Sequence, residues 1–210
     1  MKNLPFNYVD LIIIALLIVG IFRGRKRGMS EELLTFVQWL FIVVGGAFLY
    51  EPGGALLKKM APLSILVCNV SAYVTFAILV KVLFTQIKKA VGEKILGSNF
   101  FGGTEYYLGM MAGMIRFGCV ILMSMALINA RLITQQERAE MARFQSKNFE
   151  GVSFPTFGSL QQSILFESFS GVHVKKYLDI LLIKSTAWQS APLKRKNDKA
   201  LDDVMGNPRR

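Results

Sequence analysis

Ionisable residues set inside apolar runs are the groups of this chain best placed to do chemistry, because a charge there is costly and calls for a partner. Asp10 stands just ahead of one such run, Glu32 opens a second, and Glu105 and Arg116 fall in the last. Other chemistries find little support. The single histidine, His173, speaks against imidazole-based metal sites and against Ser/His/Asp or Cys/His arrangements. Cys68 and Cys119 both lie in apolar segments without ligand spacing and read as buried free thiols. The stretch from Gly92 to Gly97 lacks the lysine placement of a phosphate-binding loop. Glu31 and Glu32 are adjacent, so on a helix they point about 100° apart and are poorly placed to share a substrate. Neither an enzyme, nor a cofactor, nor a metal is expected.

The elements that must position these charges are membrane spans. Of the 210 residues, 52% are hydrophobic, the formal net charge is +11 and the mean hydropathy is +0.40. The basic residues flank apolar runs, so the positive-inside rule and anionic headgroups account for the charge, and nucleic acid is not an expected partner. Hydropathy predicts an all-α integral membrane protein: a four-helix transmembrane bundle with amphipathic interfacial helices and a C-terminal helical extension. The predicted spans are 6–22, 33–50, 63–84 and 105–133, with an interfacial helix over 85–96 where Ile87, Val91 and Ile95 recur on one face. The extension covers 134–189, with an irregular polar start and one or two amphipathic helices around Leu160 to Leu182. Residues 190–210 read as a disordered basic tail. The start of the chain reads as a retained first span rather than a cleaved signal.

Arg23, Arg25, Lys26 and Arg27 crowd one short connection. With the basic segment 85–104 they are expected on the cytoplasmic side, which puts both termini outside. Ser30 is offered as the N-cap of the second helix, and Glu51-Pro52-Gly53-Gly54 as its stop. Asp10 should sit at the outer interface and snorkel to water. Arg116, in the inner half of the last span, should pair with Glu32 directly or through Arg23, and should not meet Asp10. Gly109 and Gly113 form a GxxxG surface for a neighbouring helix, with Arg116 on nearly the same face.

Asp10 ahead of an apolar helix, then Arg23-Gly24, Gly28 and Glu32-Leu33, together with Leu108-Gly109, Gly113 and Arg116, resembles the colicin V production protein (CvpA) family over about Tyr8 to Leu132. Glu105-Tyr106 stands where an Asp-Arg pair is usual, and Phe117 where glycine commonly follows the arginine. The resemblance implies a multi-pass protein of the bacterial inner membrane, tied to colicin V (toxin) production or export and to envelope integrity, without an agreed reaction. Two roles are expected to compete. One is an accessory protein or scaffold with envelope protein partners. The other is an oligomeric small channel or transporter component, lined by the Gly109/Gly113 face and Arg116. The lipid bilayer is the expected partner in both, with homo-oligomerisation required by the second.

Overall fold

The computed structural model describes residues 6–96, 102–148 and 156–187. Helix α1 spans Tyr8–Met60 but is broken at Gly28, whose φ of 75° and ψ of 170° lie outside the helical region. Such a φ suits glycine, which has no Cβ to clash. Helix α2 spans Ile65–Leu96 and α3 spans Glu105–Asn129. By length and composition, three helices among the described residues are apolar enough to cross a membrane.

Contacts fix the directions. Along the first arm of α1, Gly20 faces Gly113, Gly24 faces Gly109 and Gly28 faces Glu105, so this arm is antiparallel to α3. Along the second arm, Glu32 meets Arg116 and Tyr50 packs with Met125 and Ala126, so this arm is parallel to α3. The chain therefore turns back on itself at Gly28. Helix α2 returns antiparallel to the second arm: Gly54 faces Asn69, Gly46 faces Tyr73, and Gln38 bonds Lys88.

The packing is inverted relative to a water-soluble bundle. Buried positions include Gly20, Gly24, Ser30, Gln38, Gly46, Gly109 and Gly113, while Leu11, Ile14, Ile18, Phe41, Phe48, Leu79 and Leu83 are exposed. Small and polar residues along the helix contacts, with many large apolar ones facing outward, suit helices that associate in hydrocarbon, where close backbone approach replaces hydrophobic burial as the driving force.

Beyond α3, Arg131–Leu132 (β1) pairs in parallel with Thr186–Ala187 (β2). Between them lie α4 (Gln135–Asn148), α5 (Phe157–Gln162), a π-helical turn Ser163–Glu167 and α6 (Phe169–Tyr177). Leu165, Leu182 and Ile183 are buried against Tyr50, Tyr73, Met125 and Ala126, so this segment forms a cap over one end of the bundle.

Several boundaries differ from those expected. The stop predicted at Pro52 is passed and α1 runs to Met60. Gly53 and Gly54 lie against Ala72 and Asn69 of α2, so the glycines serve close approach rather than termination. The basic stretch is helical up to Arg27, with Gly28 alone as the break, two residues before Ser30. The interfacial helix expected over 85–96 is not a separate element: α2 passes Lys81 and Phe84 without interruption, no glycine or proline standing there to end it. The last span ends at Asn129 rather than at 133, because the chain leaves it to form β1. Helix α4 occupies part of the stretch read as irregular. The predicted tail over 190–210 lies outside the described residues.

Candidate functional site

Two buried carboxylates define the two ends of the bundle. At the Gly28 end, Glu32 is fully buried, and Arg116 Nη1 donates to both of its oxygens, at 2.8 Å to Oε1 and 2.6 Å to Oε2. Arg27 Nη1 adds a longer contact to Oε1 at 3.5 Å. A charge-assisted pair of this geometry is the arrangement that lets two charges tolerate a low-dielectric interior. The second cation is Arg27 and not Arg23, because the reversal at Gly28 folds Arg27 back towards the start of the second arm. Arg23 lies a turn earlier and is exposed. One turn further along, Lys88 Nζ donates to Thr35 Oγ1 at 3.1 Å and to Gln38 Oε1 at 2.9 Å.

Glu105 closes the same end. Its Oε1 accepts from the Ser30 N–H at 3.4 Å, in the first turn of the second arm, where an anion complements the helix dipole. Gly28 leaves room for it: a Cβ there would stand 2.9 Å from the Glu105 side chain. Phe117 also has a place. Its side chain lies across Gly20, and its ring lies 5.1 Å from the Arg116 guanidinium carbon.

At the opposite end Asp10 is only 1% exposed, and it does not reach water as an interfacial residue would. Its Oδ2 accepts from Asn7 N–H at 3.1 Å, completing a capping box at the start of α1. The same carboxylate accepts from Phe169 N–H at 2.9 Å and Ser170 N–H at 2.8 Å. These are the first amides of α6, donors that have no partner within their own helix. Asp10 thus caps two helices at once, its own and α6. Around it the cap makes further ties: Gln161 Nε2 donates to the carbonyls of Ile128 and Arg131, Asn129 Nδ2 to the Ile183 carbonyl, and Lys184 N–H to Tyr50 Oη. His173 is exposed, with Nδ1 2.8 Å from the Phe169 carbonyl.

Asp10 and Arg116 do not meet, whereas Glu32 and Arg116 do. Gly24, Gly28, Gly109 and Gly113 join in one seam, with Gly20 added. A Cβ on Gly109 would stand 2.6 Å from the Gly24 carbonyl oxygen, so only glycine permits this crossing. The signal for it was present in the sequence, since Gly20, Gly24 and Gly28 repeat every four residues and mark one helix face. No comparable signal points from Asp10 to α6. Among the described residues, no three His, Cys, Asp or Glu side chains gather as a metal site.

The colicin V production protein family profile matches residues 9–172, a stretch that includes both carboxylates, the glycine seam and the amides of α6. The chain belongs to the colicin V production protein family. No curated protein and no solved structure matches it. Membership of this family and the long apolar helices together make it a multi-pass membrane protein.

Proposed function

We propose that this colicin V production family member is a four-span, non-enzymatic scaffold of the bacterial inner membrane. On this reading it serves toxin production or export and envelope homeostasis by presenting its cap to envelope proteins. The break at Gly28 supports four crossings. An unbroken helix of 53 residues would be about 80 Å long, over twice the thickness of a hydrocarbon core. Arg25, Lys26, Arg27 and Lys88 stand at the Gly28 end, and the dense cluster in one short connection supports, by the positive-inside rule, a cytoplasmic Gly28 end with the cap outside.

The observation that carries the scaffold reading is the Asp10 clamp on α6. A nine-residue helix is too short to be stable alone. Held by a buried carboxylate, it keeps one orientation over the bundle. Phe166, Val172, Tyr177 and Ile180 are exposed on this cap, a surface suited to a protein partner or a second copy of the chain. The channel alternative gains no lining from Gly109, Gly113 or Arg116, whose faces are occupied within the chain.

A photo-crosslinking residue at Val172, used in cells making colicin V, tests the proposal. Adducts to another protein or to a second copy are expected. Asp10→Ala should lose them and lower toxin secretion while remaining in the membrane fraction. Adducts that survive Asp10→Ala unchanged, or a native chain that gives none, would remove the basis for a docked scaffold.

A further inference from the structure

The glycine seam leaves a groove on its flank. Where the backbones of the first arm and α3 touch at Gly24 and Gly109, the larger side chains beside them wall a cavity of about 560 Å³. Phe22, Arg25 and Lys26 line one wall, and Tyr106, Tyr107 and Met110 the other. Phe22, Arg25 and Lys26 share a helix face by their spacing. Arg25 and Lys26 are exposed, and neither belongs to an ion pair among the described residues. The groove is graded along the helix axis. Phe22 and Met110 lie towards the middle of the bundle, while Lys26, Tyr106 and Tyr107 lie towards the Gly28 end. Tyrosines at headgroup level with cations beside them, and apolar residues about one helical turn deeper, match the profile of a phospholipid.

We infer that this groove binds one anionic phospholipid from the leaflet adjoining the Gly28 end. Its phosphate sits between Arg25 and Lys26, and its acyl chains run past Phe22 and Met110. A free phosphate would make no use of the apolar wall. The inference rests on the reading that these helices cross a bilayer.

Native mass spectrometry of the full chain, released from the membrane and titrated with phosphatidylglycerol or phosphatidylcholine, provides the test. One phosphatidylglycerol per chain should be retained in preference to phosphatidylcholine. Arg25→Gln with Lys26→Gln should weaken retention about tenfold or more, since each cation near an anionic surface contributes on the order of 1 kcal/mol. Arg23→Gln, an exposed cation outside the groove, should leave retention unchanged. Chain-free glycerophosphoglycerol should not compete. Equal retention of both lipids, equal loss on Arg23→Gln, or competition by the chain-free headgroup would each overturn the site. A chain that fails to fractionate with membranes would instead overturn the spanning reading beneath it.

Discussion

Asp10 and Glu32 are both carboxylates taken out of water, one at each end of the bundle, and they are answered by different chemistry. Glu32 is met by guanidinium groups, and with Arg116 it forms a pair whose charges cancel. Asp10 is met chiefly by backbone N–H groups of α6 and of its own cap residue, with the Ser170 hydroxyl beside them, neutral dipoles that leave its charge intact. The first arrangement depends on which side chains stand opposite. The second depends mainly on where a helix begins. One end of the molecule is thereby locked by residue identity, and the other by the placement of a backbone.

The sharpest way to break that comparison is to remove a partner at each end. Arg116→Met leaves a carboxylate buried without its cation and should cost about 3–5 kcal/mol. The measurement is unfolding of the detergent-held chain, and replacing Glu32 by Leu in the same chain should recover much of the loss. Asp10→Ala should cost less, about 1–3 kcal/mol, because it strands uncharged amides at a helix start. Its signature should be local: cleavage within the cap by added protease, with the bundle still folded. Ser170 separates backbone from side chain directly. Ser170→Pro deletes the N–H that Asp10 Oδ1 accepts, at a first-turn position where proline is tolerated, and should loosen the cap as Asp10→Ala does. Ser170→Ala keeps that N–H and removes only the hydroxyl, a further donor to Asp10, so it should cost about 1 kcal/mol and less than Ser170→Pro. Equal effects from the two Ser170 variants would refute the backbone account. At the low end, Lys184→Ala should leave unfolding unchanged. The hydrogen bond to Glu51 at 2.8 Å raises the Lys184 pKa, but both groups are solvated and the pair is a weak one.

What could be read from the sequence follows the same division. The Glu32–Arg116 contact was legible because both members carry charge in apolar surroundings and hydropathy placed them at the same depth. Long apolar runs likewise announced the membrane helices. Glycine chemistry was legible only by half. Gly109 and Gly113 were read as a contact face, whereas Gly20, Gly24 and Gly28 carried the same period beneath a dense cluster of arginines. Pro52, Gly53 and Gly54 were misleading for a physical reason. Breakers by local propensity are retained within α1 because α2 packs closely on Gly53 and Gly54. The Asp10 clamp was not legible at all. Its principal donors are main-chain amides, which every residue but proline possesses, and the Ser170 hydroxyl beside them is one of many serines in the chain, so residue type does not point to them. Helix α4 leaves little trace in the sequence, because its charged and polar residues show no apolar period.

The clamp also imposes an order of events during biogenesis. Asp10 and the amides it holds are separated by 159 and 160 residues of chain. At about 5–20 residues per second, a ribosome needs on the order of ten seconds or more to supply them. Throughout that interval the first helix is made while the segment that covers its end is still unsynthesised, and Asp10 has only Asn7 and solvent for partners. Arrival of α6 closes the last open end, so a docked cap records that the chain has been completed to at least Ser170. A nascent or truncated chain would lack that mark and would show an open, hydrated carboxylate at its first helix.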